Sequence, residues 1–331
     1  MKYLFVLLLS ICLLSSCDKE DVDLESKELE EDALAQKYHF IGRSIGFSVN
    51  QIYTDQTIDQ QFYLGSIWGL KDTMPTVALS PLHNYIKPFK SSISSTHPTL
   101  RSVKIIPSFA AVRSFAKKSK SEQTVLDQFS TGTFFDYRAI RYHLNNSADV
   151  DSVLRLVVHN DSTTVKRVFS ILLHREHIAF NLYADFDDFA STFHGEELLT
   201  LEKTGLKPYY VSSVNYGTNS IIMGESDYPG SDFKRVLEKL LDKQSLTNMD
   251  EEILQHSDVL IYLRGGRKAS FIQREHGLEG IRKLVKAYKK ELEVQRHTFD
   301  YPISYTLSDL ATFRSLKFWY SYDFFVREER E

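Results

Sequence analysis

The sequence predicts an α+β fold from three observations. Residues 206–225 crowd β-branched and aromatic side chains (Tyr209, Tyr210, Val211, Val214, Tyr216, Ile221 and Ile222) into one run that Gly217 divides. That reads as one long strand, bent or bulged at Gly217. Val259 to Leu263 is a second apolar run, ending in Gly265-Gly266, where the chain bends sharply or admits another backbone. Two further segments keep a helical period: Phe233, Val236, Leu237, Leu240 and Leu241, then Leu278, Ile281, Leu284, Val285, Tyr288 and Leu292.

The first residues are a targeting segment rather than fold. In residues 1–16, Lys2 supplies the charge and Leu4 to Leu14 an apolar stretch too short to span a bilayer. It ends Leu14-Ser15-Ser16-Cys17, which resembles the lipobox of bacterial lipoproteins. The resemblance implies that Cys17 becomes the acylated first residue, so that the protein is held to a membrane by palmitate-type chains. An ordinary secretory signal is the alternative. With Cys12 removed alongside the signal, no disulfide, thiolate nucleophile or Cys-ligated metal is expected. Residues 17–37 are acidic and nearly free of aromatics, which predicts a flexible tether. Asp18-Lys19-Glu20-Asp21 resembles the signal that sends some Gram-negative lipoproteins to the outer leaflet of the outer membrane. A merely solvated tether is the other reading.

The folded body is expected over 38–331. Phe47, Val49, Ile52 and Tyr53 predict a strand with one irregularity, and short strands follow at 62–64, 77–79, 85–86 and 103–105. From Ser108 to Phe129, Phe109, Val112, Phe115 and Val125 fit a helix whose Lys117–Lys120 cluster reads as a solvated face. Val150, Ser152, Leu154, Leu156 and Val158 alternate in part, and 165–184 is strand-like. His174 and His177 lie three apart on that strand and so face opposite sides, which argues against a shared metal. Asp185, Asp187 and Asp188 lack the glycine of a calcium loop and read as a structural loop. Ser231 or Asp232 is expected to cap the helix that follows, and Asn248 or Asp250 a short one over Met249–Leu254. A longer helix is placed at 274–294, then two aromatic strands within 301–326, with the residues from Arg327 onward frayed.

Three of these stretches also resemble a known family. Tyr210-Val211-Ser212-Ser213-Val214-Asn215-Tyr216-Gly217 is similar to the Y/F-V-S-S/N-V-A-Y-G segment of the thiol-activated, or cholesterol-dependent, cytolysins. Tyr301-Pro302-Ile303-Ser304-Tyr305-Thr306 matches that family's YPISYT in full, and Gly265-Gly266 falls at its V-x-L-G-G strand end. The resemblance covers about residues 165–310 and thins toward residue 100. It implies the fold of the MACPF/cholesterol-dependent cytolysin superfamily, a bent, twisted antiparallel β-sheet flanked by helical clusters. By position these would lie at about 139–164 and 226–257. It implies that the clusters unfold into hairpins that close a barrel with other copies of the chain, or with a companion cytolysin-like chain. The Gly pair would let the sheet straighten.

Two departures bear on function. The sequence ends about twenty-five residues after Thr306, so the family's C-terminal membrane-binding domain is not expected, and cholesterol binding does not carry over. If extended, Phe233–Leu241 puts charges on both strand faces, and Pro229 weakens one flank. No dinucleotide or phosphate loop is present. Gly42-Arg43-Ser44-Ile45-Gly46 reads as G-x-S-x-G, but the residues after it look like a strand rather than a helix. A net charge of −4 offers no global field for nucleic acid. The expectation is therefore a non-enzymatic, cofactor-free and metal-free surface lipoprotein of cytolysin type. The alternative is a non-lytic binding or adhesion module with the same fold.

Overall fold

The computed structural model describes residues 38–329 apart from 54–59, 71–78, 83–84, 98–100, 119–125, 145–147, 158–162, 186, 188–194, 266–269 and 297–298. Cys17, the tether 17–37, Asp188 and Gly266 lie outside the described residues. The elements in order are β1 (Tyr38–Val49), β2 (Gln51–Tyr53), β3 (Ile67–Leu70), β4 (Leu79–Pro81), β5 (Ser91–Ser95), β6 (Val103–Ile105), α1 (Phe109–Ala116) and β7 (Leu126–Gly132). A 3-10 turn (Tyr137–Ile140) leads into α2 (Arg141–Leu144), α3 (Ala148–Val157), β8 (Phe169–Ala184), α4 (Glu196–Lys203) and β9 (Lys207–Ser226). Then come α5 (Gly230–Leu241), α6 (Asn248–Gln255), β10 (Ser257–Gly265), β11 (Phe271–His276), α7 (Gly277–Arg296), β12 (Ser304–Asp309) and β13 (Phe318–Glu329).

Two compact units divide the chain, Met1–Arg43 with Phe325–Glu331, and Ser44–Phe324. β1 and β13 pair as a two-stranded ribbon. The larger unit is an α+β body built on one antiparallel sheet of eleven strands among the described residues. Its centre is β9. The C-terminal half of β9 pairs with β10, from Ser226↔Ser257 to Thr218↔Gly265. Its N-terminal half pairs on the same edge with β12, from Asn215↔Ser304 to Tyr209↔Asp309, and on the opposite edge, beyond the end of β8, with β3, from Tyr210↔Ile67 to Lys207↔Leu70. β8 runs along the other edge and itself carries β7 beside residues 172–178 and β5 beside 182–184. Both edges of the β8–β9 pair therefore change partners at the same level.

That level is also irregular. The register of β8 against β9 shifts between Ile178 and Phe180, so Ala179 is an extra residue opposite Gly217 and Tyr216. A bulge of this kind bends a strand and increases its twist. Gly217 is required there, because a Cβ would lie 1.9 Å from the carbonyl oxygen of His177. At the end of β10 a Cβ on Gly265 would meet Gln295 of α7, 2.2 Å from its Oε1.

Several sequence expectations need correction. The helix expected over 108–129 stops at Ala116, and Phe129 belongs to β7, an edge strand in which it is flanked by the polar pairs Asp127-Gln128 and Ser130-Thr131. Residues 62–64 and 85–86 are not strands, while β5 was not expected. The partly alternating 150–158 is α3, because Val150, Val153, Leu154 and Val157 form a buried helical stripe. α5 starts at Gly230 behind Pro229 with no side-chain cap, and α6 is capped by Thr247 in a capping box with Asp250. Residues 274–276 are strand β11, so the long helix starts at Gly277. β13 runs through Glu329, beyond the point where fraying was expected.

The two glycines predict different costs. Gly265→Ala meets a side chain that can move and should destabilise by about 1–3 kcal/mol. Gly217→Ala meets backbone and should cost at least the top of that range, about 3 kcal/mol. Urea denaturation of both variants measures the difference; equal losses would contradict the close approach at Gly217.

Candidate functional site: two helical clusters on one sheet

Successive side chains of a strand point to opposite faces, and here both faces of β8, β9 and β10 are apolar. Ile171, Leu173, Ile222, Val259, Ile261 and Leu263 point one way, onto Phe233, Val236 and Leu237 of α5, Ile253 and Leu254 of α6, and α7. Leu172, Ile221, Met223, Leu260 and Tyr262 point the other way, onto Tyr137, Ile140, Leu144, Val150, Val153, Leu154 and Val157. The sheet is thus held between a first cluster, residues 137–157, and a second, residues 230–255. The second falls within the range expected from the sequence, and the first overlaps its expected range but begins earlier, at Tyr137.

Polar clamps fix each cluster. Glu225 of β9 is 1% exposed. It accepts hydrogen bonds from Tyr137 Oη at 2.8 Å, from the backbone N–H groups of Lys166 at 2.7 Å and Arg167 at 2.9 Å, and from Arg274 Nη2 at 3.1 Å. One carboxylate therefore joins the first cluster, the start of β8 and β11. The Tyr137 hydroxyl is pushed well above its ordinary pKa, first by burial and then by Glu225, so it stays a donor. Arg167 extends the group to Asp258 at 2.6 Å and Asp227 at 2.5 Å. In the second cluster Asp250 accepts from Arg235 Nη1 at 2.7 Å, Lys239 Nζ at 2.8 Å and Thr247 N at 3.0 Å, clipping α6 to α5. The Lys239 hydrogen bond leads the causes that hold its carboxyl well below the usual range. Gly224 seats α5: a Cβ there would lie 2.6 Å from the ring of Phe233. These partners were not legible in the sequence. Glu225 and Asp250 look like ordinary surface acids until the fold is known.

The three segments singled out by sequence meet around residues 213–218 of β9. Ser304 Oγ accepts from Asn215 Nδ2 at 2.9 Å, and Tyr305 and Thr306 lie opposite Val214 and Ser213. Ser212 Oγ accepts from Ser308 Oγ at 2.8 Å and donates to the carbonyl of Thr306 at 3.2 Å. Tyr210 and Val211 are fully buried, and Val211 lies opposite Leu307. Tyr216 stacks on Phe180 at 4.9 Å, and Ile303 N donates to the Asn215 carbonyl at 2.8 Å. Tyr301 packs under Arg113 at 4.8 Å, and Pro302 is buried beside it. Gly265 closes the group at Thr218. Ser44 lies within β1, not on a strand-to-helix elbow. Asp187 N donates to Asp185 Oδ1 at 3.0 Å, a local turn. Among the described residues no group of three or more His, Cys, Asp or Glu is placed to hold a metal. Among the same residues no helix is long and apolar enough to cross a membrane, which says nothing of crossing by strands.

A fold like this one is found among solved toxin structures. No family profile and no curated protein matches the sequence. Among solved structures the chain is similar to a non-hemolytic pneumolysin from Streptococcus pneumoniae strain ST306, with 16% identity over 89% of this chain and 68% of that one, TM-score 0.63. It is similar to the human-specific toxin intermedilysin, with 14% identity over 88% and 66%, TM-score 0.61. Listeriolysin O gives 15% identity over 88% and 64%, TM-score 0.58. The chain thus spans about two thirds of their length. At this identity the likeness is one of fold, and the fold is cytolysin-like.

Two predictions follow from the clamps and the histidines beside them. Glu225→Gln keeps the shape but removes the charge facing Arg274, and should destabilise by about 3 kcal/mol, with loss of protection in the 137–157 amides measured by hydrogen exchange. His143 of α2 and His174 of β8 lie 4.2 Å apart between ring centroids, and burial holds their pKa values down to about 3 and about 4. The unfolded chain binds these protons near pH 6.5, so their contribution is complete above that pH and is lost as pH falls toward 4. Burial raises the Glu176 carboxyl and works in the opposite direction. Thermal melts between pH 7 and pH 4 should show the Tm falling, and His143→Gln should flatten the slope.

Proposed function

We propose that the chain is a surface-anchored, oligomerising pore-forming component of cytolysin type, tethered to an outer membrane through Cys17. The observation that carries this reading is connectivity. Each helical cluster links two strands that already lie in one sheet: segment 133–168 joins β7 to β8, and 227–256 joins β9 to β10. Each segment is long enough for two strands of about ten residues, the length that crosses a bilayer. Unfolding a cluster would lengthen an existing hairpin without rethreading the chain. Only a closed barrel satisfies the backbone of such hairpins in lipid, which is why many copies, or copies of a companion chain, are required.

Energetics favour a closed monomer in water. Releasing the first cluster exposes its seven inward apolar side chains and the sheet face beneath them, at a cost on the order of 10 kcal/mol or more. Burial in lipid and against neighbouring subunits is what would offset that cost. The protein should therefore stay closed until it is concentrated on a membrane.

A second reading, a non-lytic binding module, is favoured by α5. Lys234, Arg235, Glu238 and Lys239 would fall on both faces of an extended strand, and a cation facing mid-bilayer costs about 2–4 kcal/mol. The likeness to a pneumolysin described as non-hemolytic is a reminder that this fold does not by itself entail lysis. Incubation of the purified protein with dye-loaded vesicles, followed by electron microscopy, separates the readings. Rings with dye release are expected, and Gly265→Ala should reduce release while leaving membrane attachment intact. A monomer that never releases dye, alone or with a companion chain, supports the binding module.

A further inference from the structure

On the face of the sheet that carries the first cluster, a cavity of about 650 Å³ opens between β2, β7, α2, β8 and the segment before β13. Glu176 and His174 of β8, two residues apart on one strand, both line it, together with Tyr53, Tyr142, His143 and Lys317. Nothing in the proposed pore mechanism uses this cavity.

Its chemistry is unusual for an interior. Glu176 is 5% exposed, and its only side-chain partner among the described residues is the Tyr53 hydroxyl, at a long 3.4 Å from each carboxylate oxygen. Arg264 lies on the same face, in the row Glu176–Asn219–Arg264 across the three strands, with β9 between it and Glu176. A buried carboxylate without a cation is costly, and burial accordingly raises its pKa. The two imidazoles beside it are held neutral above about pH 4, so they do not repel a positive guest. The Nε2 of His174 is buried with no hydrogen-bond partner among the described residues. Two tyrosine rings line the same space. Tyr53 is half-buried, while Tyr142 is 52% exposed and is braced against Phe47 at 5.1 Å.

The geometry points to a binding site for a small organic ammonium ion, with Glu176 as counter-ion and Tyr53 and Tyr142 as ring contacts. A single metal ion fits poorly, because the described residues offer no set of three ligands and the volume is many times that of one water, about 30 Å³. A carboxylate with aromatic faces is instead the arrangement that recognises alkylammonium groups. Lys317, exposed and on the same lining, suits the anionic end of a zwitterion whose cationic end lies inward. Two sources share this chemistry, a soluble choline-like zwitterion and a phosphocholine lipid headgroup. An occupant would touch both α2 and β8, and so would brace the first cluster against the sheet.

Titration of the full-length chain by calorimetry with choline, with phosphocholine and with phosphatidylcholine vesicles tests the site. Saturable binding of choline or phosphocholine is expected. Glu176→Gln should weaken it about tenfold or more, in a protein whose melting and circular dichroism show it folded. Tyr142→Ala alters only an exposed ring and should weaken binding about two- to fivefold. Affinity should also fall as pH falls, because protonating Glu176 removes the counter-ion and protonating His143 and His174 adds like charge, while Tyr53 stays neutral. Vesicle binding that Glu176→Gln removes assigns the site to a lipid headgroup; binding of the soluble ligands alone assigns it to a solute. Failure of all three probes to bind the wild-type chain, or equal binding by Glu176→Gln, overturns the proposal whatever the outcome of the dye-release experiment.

Discussion

β9 loses water on both faces and along both edges for nearly its whole length, and that burial sets the terms for everything around it. A strand with one wet face can alternate apolar and polar residues; this one cannot, and from Tyr209 to Ser226 every residue but Ser213 is buried. Two consequences follow. Helices must cover both faces, so the chain leaves the sheet before β8 and again after β9 to supply them. Where a polar residue falls on β9, its partner comes from a covering element or from another strand of the sheet, as Tyr137 and Arg274 do for Glu225, Ser304 for Asn215 and Tyr288 for Ser220.

The same burial explains why the irregularities gather at one level. Along its length β9 passes from one set of neighbours to another, β10 to β12 on one edge and, across β8, β7 to β5. A continuous sheet of this width would accumulate twist that its edge partners could not follow. The bulge at Ala179, the contact of Gly217 with the His177 carbonyl and the end of β10 at Gly265 all fall there, where one set of partners gives way to the next. Gln295 packs against Gly265 at that point and ties the end of α7 to it.

How much of this was legible depended on whether the signal was local. β8, β9, β10 and α5 announce themselves through runs whose period needs no partner to be read. β7 did not, because an edge strand carries little apolar residue of its own, and Phe129 could as well continue the stripe begun by Phe115. β11 was absorbed into the helix after it, since Phe271–His276 has no apolar run and is defined by its pairing with β10. Thr247 was passed over as a cap in favour of its neighbours, though Thr247 and Asp250 stand at capping-box spacing. At the candidate site the Gly pair and the two motif segments were visible, while Glu225, Asp250 and the Gly224–Phe233 seat were not. A buried acid and a surface acid look alike in sequence, and only long-range pairing tells them apart.

The partial alternation of residues 150–158 has physical content of its own. Val150, Val153, Leu154 and Val157 give a helical stripe, and the structure buries it; Val150, Leu154, Leu156 and Val158 also share one side of an extended chain. Leu156 is the telling position, because it is exposed in the helix, where it serves no packing, and would be lipid-facing in a strand. The second cluster shows no such double pattern: α5 is helical in period alone, and its cations pair with Asp250 across to α6. The two clusters are therefore unequal. The first has an apolar pattern compatible with both periods and is held to the sheet by its buried stripe and by Glu225, whereas the second has a helical period alone. Any conversion of the proposed kind would have to begin with the first cluster, at the edge where β7 leaves the sheet open to further pairing among the described residues.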